Sequence, residues 1–256
     1  MEYNLTSSQK IFYTKNFDDS IWTQGVMQIF PQIYTYKELN DAFNKLVLKN
    51  ESLLISIKEK QGQPIAELNE FSYTEYPYIQ CSNEDEAVDY FKSFLRTPIN
   101  INNRLVTCIV FSTPVSSGIM VNAHHIIVDA YSAFVMAKRI ESYLNNTEEL
   151  LPSYQSYHDY TENEIRYKNS KRYLSDRNFW LKEFESEPVT GIFPLSSESF
   201  NYEASEKDLL FPGTLFDKIK NICDSYDISV GSFFNAVYSF FIISINPKLT
   251  ICICIC

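Results

Sequence analysis

The stretch from Gly118 to Tyr131 constrains this chain most. Gly118 to Ala123 is a mostly apolar run of strand character, and a helical pattern opens at Tyr131. Between them stand His124-His125-Ile126-Ile127-Val128-Asp129-Ala130, holding two of the three histidines in 256 residues, with a carboxylate four positions beyond the second. A strand that ends in a short loop and feeds a helix calls for packed layers of sheet and helix. A histidine fixed at a strand end beside a carboxylate suits acyl transfer, where a poised base meets an incoming nucleophile.

Strands and helices alternate along the rest of the chain. Gln9 to Phe17 reads as a short helix and Val26 to Ile33 as a strand. Thr35-Tyr-Lys-Glu38 has the spacing of a capping box, after which Leu39, Phe43, Leu46 and Val47 recur at helical period. Leu53 to Ile57 and Pro64 to Leu68 read as a hairpin turning near Gln61-Gly62. Glu84 to Leu95 reads as a helix with Val88, Phe91 and Leu95 inward, and Leu105 to Phe111 as a strand joined to the one at Gly118. After Leu150 the character changes. Tyr154 to Glu185 is polar, aromatic and helical, and is expected to connect two lobes, its tyrosines packing at the surface and between the lobes or docking a carrier protein. Ala204 to Phe211 then reads as a strand. Leu215, Ile219, Ile222 and Tyr226 form a helical stripe capped by Thr214, Ser229 to Ile243 forms a second helix, and Leu249 to Cys256 a final strand. The fold class expected is α/β with a mixed sheet, divided into a lobe over 1–175 and the opening of a second over 176–256.

Composition excludes several functions. A formal charge of −10 and an acidic balance argue against nucleic-acid binding, which needs a basic face. The longest apolar run, Phe233 to Ile245, is broken by Asn235, Ser239 and Ser244 and is too short to span a bilayer, so a buried helix and no membrane partner are expected. Met1 to Lys10 lacks the apolar core of a signal peptide. The cysteines at 81, 108, 223, 252, 254 and 256 form no CxxC pair. The last three alternate with isoleucine, which puts neighbouring side chains roughly 6–7 Å apart on one strand face. Thiolates around one zinc lie roughly 4 Å apart, so no metal site is expected there. The two adjacent histidines point to opposite faces and His158 lies in a polar helix, so no metal site is expected from them either. The reading is a reduced, cytoplasmic protein.

These residues resemble the condensation domains of nonribosomal peptide synthetases, which have the chloramphenicol-acetyltransferase-like fold and the signature HHxxxDG. Here it stands as His124-His125-xxx-Asp129-Ala130, with Ser132 where that family often has serine. Weaker matches follow in family order. Leu5-Thr6-Ser7-Ser8-Gln9 is similar to "LTxxQ", and Lys49-Asn50-Glu51-Ser52-Leu53 to "RHExLRT". Phe179-Trp180-Leu181 is similar to the "yW" segment between the lobes, and the helix-helix-strand after Phe211 to the start of the second lobe. The family's last glycine is Ala130, whose methyl narrows the channel for a substrate arm. The second arginine of "RHExLRT", the family's ion-pair partner for the motif Asp, is Leu54, so Asp129 needs another donor, for which Arg104 is the candidate. Family domains are longer, so the resemblance implies a complete N-terminal lobe and a partial C-terminal lobe.

The resemblance implies amide formation between two carrier-tethered thioesters near the second histidine. His125 is the expected base or positioning group. His124 packs structurally, Asp129 holds the loop and the His125 tautomer, and Ala130 and Ser132 border the substrate channel. No intrinsic cofactor is implied. Substrates arrive on the 4'-phosphopantetheine arms of peptidyl or aminoacyl carrier protein domains, and neighbouring synthetase modules are the partners. Two alternatives stand beside this reading: a non-catalytic fragment that binds a carrier or neighbouring domain, and a coenzyme A-dependent acyltransferase. The isolated chain is expected to be weakly active or inactive. The unfinished sheet edge near Cys256 is expected to invite self-association.

Overall fold

The computed structural model describes residues 1–13, 22–185 and 210–245. They fall into two compact units, Met1–Ser170 and Lys171–Cys256. In the first unit the elements run β1 (Glu2–Asn4), α1 (Ser7–Phe12), β2 (Thr23–Phe30), α2 (Tyr36–Lys49), β3 (Ile55–Lys60), β4 (Gln63–Leu68), β5 (Tyr78–Gln80), α3 (Glu84–Leu95), β6 (Val106–Ser112), β7 (Ser117–His124), α4 (Ala130–Leu144) and α5 (Tyr157–Lys168).

Two sheets form. β1, β4 and β3 make an antiparallel sheet in that order; the other runs β2-β7-β6-β5, antiparallel except for the parallel pair of β5 with β6. The expected mixed α/β class is what the chain adopts. β7 is buried at every position, which explains why its sequence is a continuous run rather than an alternation. Its side chains still divide by face. Ile119, Val121 and Ala123 join Phe43, Leu46 and Val47 of α2 and Met136 and Ile140 of α4 in the main core. Met120 faces the other way, with Ile109, Phe111 and Ala87. Close packing on that second face needs a glycine. A Cβ on Gly25 would lie 2.2 Å from the Val121 carbonyl oxygen and 2.3 Å from Leu95 Cδ2.

Local sequence signals account for the element boundaries. Thr35 and Glu38 form the expected capping box at the start of α2, each satisfying the other's backbone N–H. The β3–β4 hairpin turns at Gln61 and Gly62, with φ of 53° and 76°, the two positive values that a two-residue hairpin loop requires. The helix expected from Gln9 to Phe17 is instead Ser7–Phe12, because Thr6 and Gln9 make a second capping box that starts it earlier; residues 14–17 lie outside the described chain. β1 and β5 have three residues each and no sequence period announces them.

The second unit contains α6 (Lys171–Glu183), α7 (Gly213–Tyr226) and α8 (Val230–Ile245). Asp227, with φ of 52°, ends α7 in the left-handed region, so that the stripe expected from Leu215 to Tyr226 forms one helix and the next apolar run another. Thr214 is not the cap of α7: the helix starts at Gly213, behind Pro212, and Thr214 lies within its first turn. Of the strand expected at Ala204–Phe211, residues 204–209 lie outside the described chain, and Leu210 and Phe211 are not in a strand. The expected strand Leu249–Cys256, with its cysteines and sheet edge, also lies outside it. Among the described residues no single helix is long and apolar enough to cross a membrane; α7 and α8 meet that length only together, bent by 101°.

Candidate active site

The end of β7 is where the two histidines stand, and backbone hydrogen bonds hold it from both sides. His124 pairs with Thr23 in the register of β2 and β7, and its N–H donates to the Leu105 carbonyl at 2.8 Å. The His125 N–H donates to the Trp22 carbonyl at 2.6 Å. The chain then turns sharply, with the Ile127 N–H donating to the His124 carbonyl. His124 is 1% exposed, and its Nδ1 accepts the Ile126 N–H at 3.1 Å. Its ring therefore staples the turn from inside.

His125 is only half-buried. Its Nδ1 lies 2.8 Å from the Val128 carbonyl oxygen. A carbonyl can only accept, so Nδ1 carries a proton and Nε2 of the neutral ring is the acceptor. Nε2 lies 2.8 Å from Nε2 of Gln24, whose amide donates to it. The Phe12 ring stacks on the imidazole, centroids 4.4 Å apart and planes 19° apart, and is itself met edge-on by Trp22. The expected base thus has a defined tautomer, a defined plane and a basic nitrogen facing a polar neighbour. The tautomer is set by the Val128 carbonyl, not by Asp129 as expected.

Asp129 is exposed and caps α4. Its Oδ1 accepts the Ser132 N–H at 2.7 Å and the Ser132 hydroxyl at 2.6 Å. Hydrogen bonds from the Ser132 hydroxyl and then its amide hold the Asp129 carboxyl below the ordinary aspartate range. The expectation of a buried carboxylate in need of Arg104 is therefore corrected. Arg104 donates to the Thr74 hydroxyl at 2.8 Å and the Tyr76 hydroxyl at 3.0 Å, while Leu54 packs on the main core. A carboxylate satisfied by the first turn of its own helix needs no arginine. Ala130 is the exposed first residue of α4. Ser132 is half-buried and lines a groove with Leu46, Leu53, Val128, Tyr131 and Met136. That groove runs along the loop; His125 is not among its lining residues.

The weaker motif segments serve this geometry. Gln9 Oε1 accepts the Thr6 N–H in the α1 capping box and the Tyr157 hydroxyl at 2.8 Å, which anchors the helix that carries Phe12. Glu51 accepts the Tyr157 N–H at 2.7 Å and the Ser156 hydroxyl at 3.2 Å, capping α5. Phe179, Trp180 and Leu181 are exposed on α6. Among the described residues no three His, Cys, Asp or Glu side chains are grouped to hold a metal. Gln24, Phe12 and Val128 were not expected in the site. One signal included Gln24 without singling it out: strand alternation places it and Gln28 on the same face as Val26 and Phe30.

Comparison with known proteins bears on the family and the fold. The model of the condensation domain family matches residues 1–255. Surfactin synthase subunit 1 of Bacillus subtilis is 22% identical over 96% of this chain and 7% of its own length, and bacitracin synthase 1 of Bacillus licheniformis 22% identical over 90% and 5%. Among solved structures, the starter condensation domain of rhizomide synthetase, solved with C8-CoA, superposes with a TM-score of 0.66 at 17% identity, over 78% of this chain and 49% of that one. An epimerization domain of tyrocidine synthetase superposes with a TM-score of 0.61 at 21% identity, over 74% of this chain and 46% of that one. The chain spans about half the length of these solved domains and less than a tenth of the two synthases.

Proposed function

The chain belongs to the condensation-domain family, and from that premise we propose that it forms an amide bond between two carrier-bound acyl groups in a nonribosomal peptide synthetase. The observation that carries the proposal is the Nδ1–Val128 hydrogen bond, which leaves Nε2 of His125 as the proton acceptor. The amine nitrogen of an acceptor aminoacyl thioester attacks the carbonyl carbon of the donor thioester. A C–N bond forms, the C–S bond breaks, and the proton shed by nitrogen passes to Nε2 of His125 and from there to the departing thiolate. Holding two tethered reactants in register removes much of the entropic barrier, so the imidazole need supply only the proton path.

In this reading the substrates ride on 4'-phosphopantetheine arms of peptidyl or aminoacyl carrier domains, and neighbouring synthetase modules are the partners. His124 and Asp129 position the loop rather than touch substrate, since each is engaged by the backbone next to it. Ala130 and Ser132 stand at the mouth of α4, where an arm passes the loop. A reduced, cytoplasmic setting is part of the same proposal; among the described residues Cys81, Cys108 and Cys223 are buried free thiols.

The test is made in the synthetase that carries this chain, with both carriers loaded. His125→Ala is expected to lower the rate of amide product formation by about 100-fold or more, the ordinary worth of a positioned acid–base group. Unchanged turnover would overturn the reading and favour the non-catalytic, carrier-binding alternative.

A further inference from the structure

In the free chain the basic nitrogen of His125 is already occupied. The carboxamide nitrogen of Gln24 lies 2.8 Å from it and donates an N–H. An amine about to attack would present the same kind of atom at the same kind of distance. We infer that the Gln24 carboxamide holds the place of the attacking amine on Nε2 and is displaced when the amine binds. The inference rests on the reading of His125 given above.

Three observations support it. The first is that Gln24 is held by half of its carboxamide: its Oε1 is buried and, among the described residues, has no hydrogen-bond partner. An orphaned acceptor offsets the bond made by the nitrogen, so the side chain is weakly held. Gln24 is half-buried on β2, at the edge of its sheet, and turning outward hydrates both ends of the amide. The second is that the imidazole does not depend on Gln24 for its orientation, because the Val128 carbonyl and the stacked Phe12 ring fix its tautomer and plane. The third is that the aromatic neighbours described around the ring bring no charge to it. Phe12 of α1 and Trp22 are uncharged where they meet each other and the ring, and the charge that acts on His125 from its own loop is the Asp129 carboxylate, itself occupied by Ser132. Across the strand pair Gln24 faces Ala123, whose small side chain leaves the carboxamide free to move.

Gln24 is thus a positioning residue, and its removal makes the amine site easier to occupy. The probe is a pantetheine analogue carrying glycine through an amide in place of the thioester, so that the α-amine is present and nothing can leave. Its acetylated twin carries acetyl in place of glycyl and so has no nitrogen at that position. Binding to the full 256-residue chain is measured at about pH 8.5, where most of an ordinary α-amine is neutral. Gln24→Ala is expected to bind the amine probe about two- to ten-fold tighter than the unaltered chain, the fold-change that one hydrogen bond is worth, and to bind the acetylated twin equally. In the nitrogen-15-labelled chain, a coupling between Gln24 Nε2 and His125 Nε2 across their hydrogen bond is expected in the free protein and is lost at saturating amine probe. This second measurement stands even where the variant fails to fold. Equal or weaker binding by Gln24→Ala, a coupling that survives saturation, or no binding of the amine probe by either protein overturns the proposal. His125→Ala separates the two readings. If it keeps the preference for amine over acetylated probe, His125 does not meet the amine. If it loses the preference while Gln24→Ala changes nothing, the place-holding role of Gln24 fails and the reading of His125 stands.

Discussion

The Glu51 carboxylate accepts the N–H of Tyr157 at 2.7 Å across 106 residues of sequence, so the turn after α2 and the start of α5 are one joint. Glu51→Ala leaves two donors of the α5 N-terminus without their acceptor. A loss of about 1.5–3 kcal/mol in urea denaturation is expected, the ordinary worth of hydrogen bonds to a charged group. Amide exchange at Tyr157 should quicken, and Glu51→Gln, which keeps an acceptor, should recover part of the loss.

His124→Ala removes the acceptor of the Ile126 N–H and empties a fully buried site. Destabilisation of about 2–5 kcal/mol is expected from the orphaned donor and the cavity together. The nitrogen spectrum of His125 should lose its single Nδ1-protonated tautomer, because the turn that presents the Val128 carbonyl is no longer stapled. A variant that is destabilised but keeps that tautomer would show that the staple does not govern the site.

Asp129→Ala removes the cap of α4 and is expected to cost about 0.5–2 kcal/mol, with Asp129→Ser much milder. The carboxyl is held below its ordinary value near 3.8 by Ser132. Its contribution is therefore complete above that value and is lost as pH falls through the lower one of the folded chain. Thermal melts at stepwise lower pH should find Asp129→Asn less acid-sensitive than the parent over that window.

Tyr157 gives the opposite limb. Burial pushes its phenol up from 10.0 to about 12. The folded chain therefore holds that proton where the unfolded chain has lost it. Stability from this group is complete below pH 10.0 and declines as pH rises towards about 12. Tyr157→Phe should lose about 0.5–1.5 kcal/mol at neutral pH from the missing hydrogen bond. Its further loss between those two values, followed by denaturant titration, should be shallower than that of the parent.

Much of the scaffold was legible because its causes are local. Thr35 and Glu38, or Leu39, Phe43, Leu46 and Val47, act over three or four positions, and the alternative structures of those segments satisfy fewer backbone groups. The helix at 84–95 and the turn at Gln61-Gly62 were readable for the same reason. β1 and β5 were not, since three residues become a strand only through the partner that supplies their hydrogen bonds. Arg104 was misassigned as the partner of Asp129 because the inference assumed burial, and burial is a property of the packed chain.

By itself the sequence determined most of the longer elements of the first unit, the capping box that starts α2, and the placement of two histidines at the end of an apolar strand. The tertiary structure alone decided what His125 meets. Gln24 stands 101 residues away along the chain and arrives through the register of β2 against β7, and Phe12 arrives through the docking of α1 on Tyr157. Neighbours within one helical turn are fixed by covalent geometry and local hydrogen bonding. Neighbours across a sheet are fixed only when the whole core closes, and the amide that meets the basic nitrogen of the imidazole arrives with that closure.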